Sequence, residues 1–278
     1  MKIIGDIPDH KYYINSNIDE EIILESTNKI GQYSFHFASV KKINLENVLY
    51  IGAAAFESTE IGKINLFNIE YLGSGAFKYC DELTKVIIGP KLKEIPYECF
   101  SCCPIEEINL SNNIERIGRR AFSCTKITYF NVPPKVSVLS ESVFDNCRLM
   151  KVLNLGNIEK IDEKAIRNTA ITKLYLPRTI KKLCKGSIMD NNQLSEIIIP
   201  TSIKEIELGA IDDNLSLEKI IFSGTEKELY EIKGIKKFLE EYDDIIEIKP
   251  LSLDDILINM HRHKKVENSF NKINEIKR

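Results

Sequence analysis

The chain has 278 residues, 38 Lys and Arg against 41 Asp and Glu, a formal net charge of −3, and 43% hydrophobic residues. That balance argues against nucleic acid as a partner, because a polyanion binder shows clustered Lys/Arg and a high pI. No run of eighteen apolar residues occurs, so a membrane-spanning helix, and with it a membrane partner, is not expected.

The N-terminus, Met1-Lys2-Ile3-Ile4-Gly5-Asp6-Ile7-Pro8, lacks an apolar stretch followed by small residues. No secretory leader is read there, and a cytoplasmic or otherwise intracellular location is the expectation. Residues 1–20 read as an N-terminal cap, with short strands at 1–4 and 11–14 split by a Pro-Asp turn. Such a segment covers the first strand edge of a stacked array. Tyr12 and Tyr13 are assigned to packing within it.

From residue 21 to 222 one pattern recurs. An aliphatic residue is followed five positions later by Phe or Ile at Ile30/Phe35, Ile51/Phe56, Leu72/Phe77, Ile95/Phe100, Ile117/Phe122, Leu139/Phe144, Ile161/Ile166, Leu183/Ile188 and Ile206/Ile211. The second members lie 21, 21, 23, 22, 22, 22, 22 and 23 residues apart. Between them sit short aliphatic-x-aliphatic strands such as Ile64-Asn65-Leu66, Ile108-Asn109-Leu110 and Ile197-Ile198-Ile199. A period in the twenties carrying such strands falls in the leucine-rich-repeat range, and predicts one elongated solenoid of nine to ten turns.

The copies Ile51-Gly52-Ala53-Ala54-Ala55-Phe56, Leu72-Gly73-Ser74-Gly75-Ala76-Phe77 and Ile117-Gly118-Arg119-Arg120-Ala121-Phe122 carry a family resemblance. A Cys follows the Phe in several turns, and later strands close in Pro177 and Pro200. In these features the chain resembles the BspA-like, Treponema-type leucine-rich repeats over about residues 20 to 250. The resemblance implies a right-handed, curved solenoid with a parallel β-sheet on its concave face and short turns or strands on the convex ridge. It also implies a recurrent role in protein binding.

Within each strand successive side chains alternate in and out. The middle column, Ile23, Asn44, Asn65, Ile87, Asn109, Asn131, Asn154, Tyr175, Ile198 and Ile221, is therefore expected on the open face. Lys42, Lys63, Lys85, Glu107, Tyr129, Lys173, Glu196 and Lys219 flank it on one side, and Glu46, Phe67 and Ser111 on the other. Asn is a poor strand former, so the Asn row predicts either a ladder of side-chain amides or a polar contact surface. Residues Lys42, Asn44, Asn65, Phe67, Ile87, Asn109, Tyr129, Asn131, Tyr175, Ile198 and Ile221 form the candidate partner-binding set. Aromatics among fixed polar groups are the makings of interface hot spots.

Seven cysteines stand at 80, 99, 102, 103, 124, 147 and 184. Cys80, Cys103, Cys124 and Cys147 follow the ridge Phe and are placed in one buried column of reduced thiols. Cys99-x-x-Cys102-Cys103 has no second Cys/His pair at zinc spacing, so neither metal nor cofactor is expected. Asn47, Asn68 and Asn157, at the strand corners of three shorter turns, suggest Asx-type turns.

After Phe222, Thr225 and Glu228 form a capping box that opens a helix through about residue 241, followed by a strand at 244–249; together, residues 223–250 read as a helical C-terminal cap. Residues 251–278 show a rough amphipathic pattern, Leu253, Ile256, Leu257, Met260, Val266, Phe270, Ile273 and Ile276. This tail reads as an amphipathic helix folded back on the array or partly frayed, or, as the functional alternative, a docking or dimerising helix.

Four histidines, His10, His36, His261 and His263, sit in no recognisable nucleophile context, and catalysis is not expected. The first functional reading is a non-catalytic module gripping a protein partner of unknown identity on its concave sheet, a role that includes inhibiting a host enzyme or defence complex. The second is a structural protein self-assembling through residues 251–278. Nucleic-acid binding through the Lys column is the third.

Overall fold

A computed structural model describes residues 2–11 and 21–250. The backbone winds into a parallel β-solenoid of about 11 turns with little helix. Each turn has three sides, and each side follows from a short stretch of sequence.

The open sheet is built from Lys2–Ile4, Glu21–Glu25, Lys42–Ile43, Lys63–Leu66, Lys85–Ile88, Glu107–Asn109, Tyr129–Asn131, Val152–Asn154, Lys173–Tyr175, Glu196–Ile199, Lys219–Phe222 and Ile246–Ile248. Among the described residues the strand pairings are parallel and in register, as in Lys63↔Lys85↔Glu107 and Lys173↔Glu196↔Lys219. The hydrogen-bonded ladders run in groups of three, three, two and four strands. In Lys63–Leu66 the burial alternates out, in, out, in, because a pleated strand sends neighbouring side chains to opposite faces.

A second side carries two-residue strands at the repeated aliphatic anchor, from Lys29–Ile30 to Glu205–Ile206. Ile7 bridges Ile30 at one end of this ladder, and Glu205 bridges Lys233 at the other. At Leu72-Gly73 the coils lie so close that a Cβ on Gly73 would stand 2.2 Å from the backbone N of Ala53. This explains the glycine after the anchor by space alone.

The ridge is the side that hydrophobic patterning describes least. In each of the nine turns from Phe35 to Ile211 two residues four apart take left-handed φ, with the buried Phe or Ile midway: Glu98 (51°) and Cys102 (59°) around Phe100, Arg120 (57°) and Cys124 (61°) around Phe122. Left-handed φ in a non-glycine residue costs about 1–2 kcal/mol. The cost is offset because the turn aims alternate N–H groups at the next coil: Glu98, Phe100 and Cys102 donate to the carbonyls of Arg119, Ala121 and Ser123 at 3.0, 3.0 and 2.8 Å. The ridge is thus a hydrogen-bonded stack without regular strands over most of its length.

Inside, the Phe column stacks nearly face on. Ring centroids of Phe35, Phe56, Phe77, Phe100, Phe122 and Phe144 are separated in order by 5.1, 5.2, 5.8, 5.9 and 6.0 Å, with planes within 11° of parallel. Phe130 packs edge-on against Phe144 at 4.7 Å.

Three residues after each ridge Phe or Ile from Phe56 to Ile211 runs a small polar column: Thr59, Cys80, Cys103, Thr125, Cys147, Thr169, Asn191 and Asn214, all buried. Cys80, Cys103 and Cys147 donate their thiols to the carbonyls of Phe56, Phe77 and Phe122 at 3.1, 2.9 and 3.1 Å. Cys124 does not belong to this column. It lies two residues after Phe122 and is exposed, and Thr125 holds the buried place. Offsets of two and three, grouped together in the sequence reading, fall on opposite sides of the ridge.

At the C-terminal end the capping box is present, with Thr225 and Glu228 bonded reciprocally. The helix it opens, α1 (Glu226–Tyr230), is not continuous to residue 241. It gives way to α2 (Ile235–Tyr242) at Gly234, whose φ is 91°. A Cβ there would meet the Ile206 carbonyl oxygen at 2.0 Å, so close apposition to the last full coil imposes the break. Ile246–Ile248 then pairs in parallel with Lys219–Phe222. Among the described residues no helix is long and apolar enough to cross a membrane.

Candidate binding face

The middle column of the open sheet stands where alternation places it, but it is not uniform. Asn44, Asn65, Asn109, Asn131 and Asn154 are exposed. Their side chains make local contacts in place of a continuous amide ladder. The Asn44, Asn65 and Asn154 side-chain oxygens accept from the backbone N–H two residues on, Glu46, Phe67 and Gly156, at 2.9, 3.2 and 3.2 Å. Asn131 accepts from the Tyr129 hydroxyl at 2.6 Å. Such Asx bonds turn the chain out of the strand, which explains a poor strand former at this position.

The corner asparagines behave in the opposite way. Asn68 and Asn157 donate across to the preceding coil, to the carbonyls of Glu46 and Pro134 at 2.8 and 3.0 Å. They clamp neighbouring coils and are not Asx turns.

Of the apolar residues in the candidate set, Phe67 is the most exposed at 54%, matched on the same face by Ile23 of the middle column at 53%. The next rung presents Gly89, whose Cβ would sit 1.7 Å from the Phe67 carbonyl oxygen, so the ring stands beside a bare rung. Ile87, Tyr129 and Tyr175 are half-buried. Ile198 and Ile221, expected to offer exposed apolar surface, do not: they are only 7% and 8% exposed. They are paired in register in one continuous apolar row, Tyr175↔Ile198↔Ile221, whereas Ile87 is paired with Asn65 and Asn109.

In the flanking column, basic and acidic residues pair rung to rung. Lys85 meets Glu107 at 3.1 Å, Lys173 meets Glu196 at 3.2 Å, and Lys219 meets Glu247 on the next rung's central column at 2.8 Å. Lys42 and Lys63 are exposed. The Lys stripe is thus interrupted by acidic partners, which weakens it as a phosphate track.

A second set of functional-looking groups escaped the sequence reading. Along the ridge a chain of alternating charge passes from coil to coil. His36 faces Glu57 at 3.5 Å, Lys78 bonds Glu98, Arg120 reaches Glu98 at 3.5 Å, and Arg167 joins Asp145 at 3.5 Å to Asp190 at 2.8 Å. Lys78 also feels Glu57, and Asp145 feels Arg120. The signal was a charge one residue after the ridge Phe or Ile, two residues before it, or, for Asp190, two residues after it. The sign alternates only when the coils are aligned.

Glu98 is the centre of that chain. Burial pushes its carboxyl up, but hydrogen bonds from Lys78 and Tyr97 with the pull of Lys78 and Arg120 outweigh this and hold it below the usual carboxylate range. A depressed folded pKa gives stability that is present above the unfolded value, near about 4.3, and lost as pH falls through the folded one. Glu98→Gln should therefore cost about 1–3 kcal/mol at pH 7, and the gap from the parent should shrink in urea titrations below about pH 4. A gap independent of pH would mean that the ion pairs carry none of it.

Three of the buried thiols, Cys99, Cys103 and Cys147, are unreactive by environment. Burial pushes Cys147 up to about 12 and holds Cys99 and Cys103 well above the ordinary range. Among the described residues no group of three or more His, Cys, Asp or Glu side chains could hold a metal ion. The tail proposed for docking or self-association, 251–278, with His261 and His263, lies outside the described residues, as do Tyr12 and Tyr13.

A family model described as the BspA type leucine rich repeat region, in six copies, matches residues 5–123, 49–169 and 115–232. No curated protein matches the chain. Among solved structures, the pneumococcal vaccine antigen PcpA is similar with a TM-score of 0.46 at 16% identity, over 89% of this chain and 85% of its own. The T. pallidum leucine-rich repeat protein has a TM-score of 0.37 at 16% identity, over 89% of this chain and 92% of its own. A leucine-rich cell-surface protein from Faecalibacterium prausnitzii A2-165 has a TM-score of 0.39 at 16% identity, over 82% and 86% of the two chains.

Proposed function

The chain belongs to the BspA-type leucine-rich repeat family, and from that premise we propose that it is a non-catalytic binding module whose open sheet face takes a protein partner. The observation that supports this most is Phe67, more than half exposed in the turn that directly follows the strand Lys63–Leu66, beside the bare backbone of Gly89. A fixed aromatic flanked by Asn65, Ile87 and the outer Lys63 offers an apolar anchor with a polar surround, the arrangement typical of interface hot spots. Tyr129, with its hydroxyl held by Asn131, and Tyr175 extend the same face toward the C-terminus.

A binding face of this kind inhibits a partner enzyme whenever the bound surface includes the active site, so inhibition of a host enzyme or defence complex is the finer form of the proposal. The reading is independent of compartment.

The test replaces Phe67, Tyr129 and Tyr175 together by Ser. With the β-sheet circular dichroism signal and urea midpoint retained, the variant should lose at least tenfold in affinity for a partner captured stoichiometrically by the parent chain. Unchanged capture by a folded variant would place the interface elsewhere.

A further inference from the structure

Two thiols outside the buried column occupy equivalent places on consecutive coils. Cys102 lies two residues after Phe100 and Cys124 two residues after Phe122, with φ of 59° and 61°. The backbone N–H of Cys102 donates to the carbonyl of Ser123, the residue before Cys124, at 2.8 Å, and burial first, then the nearby Cys124 side chain, raise the Cys102 thiol. Hydrogen-bonded coils stack about 4.8 Å apart, inside the Cα separation of about 4.4–6.8 Å that a disulfide spans. Cys124 is exposed and Cys102 half-buried, so the pair is open to small reagents.

Cys80 and Cys103 likewise stand at equivalent places on consecutive coils and bear on each other, but differ from this pair in being buried. Cys80, Cys103 and Cys147 are buried with their thiols bonded to carbonyls. Cys99 is fully buried. Cys184 is bonded toward Asp162 on the preceding coil.

We infer that Cys102 and Cys124 form a ridge dithiol that closes into a disulfide by exchange with a low-molecular-mass disulfide such as oxidised glutathione. The exposed Cys124 thiolate attacks one sulfur of the reagent, forming a mixed disulfide and expelling one glutathione thiolate. Cys102 then attacks the Cys124 sulfur, forming the intramolecular bond and expelling the second. The protein gives up two electrons and two protons, and the reagent leaves as two thiols. Burial pushes the Cys102 thiol up, so the second step should quicken with rising pH, because the thiolate is the attacking species. The bond ties two coils in the middle of the array, where the stability of the solenoid passes through nearest-neighbour contacts.

The experiment incubates the folded full chain with oxidised glutathione at pH 8, blocks free thiols with N-ethylmaleimide, and maps tryptic peptides. The expected product joins the Cys124 peptide to the peptide carrying Cys99, Cys102 and Cys103, with a raised urea midpoint that dithiothreitol reverses. Cys102→Ser should remove the cross-link and leave glutathione on Cys124. Cys124→Ser should remove both. Persistent glutathionylation of Cys124 in the parent chain, a link that survives Cys102→Ser, or a Cys80–Cys103 link formed instead would each overturn the inference.

Discussion

Phe100→Ala is expected to destabilise the chain by about 3–5 kcal/mol, the range for truncating a fully buried aromatic ring. Phe100 is fully buried and stacked between Phe77 and Phe122 at 5.8 and 5.9 Å. The substitution removes the transfer free energy of the ring and two ring contacts worth about 0.5–1.5 kcal/mol each. It also leaves a cavity that cannot collapse easily, because the ridge backbone on either side is tied by the bonds of Glu98 and Cys102 to the next coil. In a solenoid each coil supports only its neighbours, so the damage should be local before it is global. Amide exchange should accelerate first between residues 77 and 122, while Glu196–Ile199 and Lys219–Phe222 stay protected. A loss below about 1 kcal/mol would mean that the ring stack is not the element holding the middle coils together.

The Phe column was legible in the sequence because inward side chains recur at a fixed place in each coil, and one fully buried ring per turn cannot be moved without cost. The open-face column was legible for the same reason: Asn44, Asn65 and Phe67 lie where strand alternation sends them. Exposure was not legible. Ile198 and Ile221 occupy the outward column yet are nearly inaccessible, since accessibility depends on what stands around a rung and alternation fixes direction alone. Cys124 shows how sharply offset matters, as a single residue separates its exposed place from the buried place of Thr125.

The charge chain through Glu98 was hidden for a related reason. Its partners Lys78 and Arg120 are about one coil away in opposite directions, and their meeting depends on the coils being in register and on the left-handed turns at Glu98 and Arg120. Neither condition is written in residue type, since Glu, Arg, Ala and Tyr all adopt that conformation here. At the C-terminal end the capping box of Thr225 and Glu228 was legible, but helix propensity competes with docking against Ile206, and at Gly234 docking wins.

Asn191→Ala carries the second large effect, also about 3–5 kcal/mol, for a reason unrelated to apolar packing. Asn191 is fully buried, and its oxygen accepts from both the backbone N–H and the hydroxyl of Thr169, at 3.0 and 2.7 Å, while its nitrogen donates to the Ile166 carbonyl at 2.9 Å. Alanine strands three groups in a site closed to water, each costing about 1–3 kcal/mol before any relaxation. Two further variants separate this account from simple loss of volume. Asn191→Thr, which places in this coil the residue used by neighbouring coils at Thr59, Thr125 and Thr169, should recover part of the loss. Asn191→Asp keeps the shape and the acceptor but has no donor for Ile166 unless its carboxyl is protonated. Burial raises that pKa in the folded state above its unfolded value, so the stability of the Asp variant relative to the parent chain should rise as pH falls from 8 toward 5. Urea midpoints across that range read the result directly, and equal losses for Ala and Thr, or an Asp variant insensitive to pH, would show that the column acts by filling space and not by bridging one coil to the next.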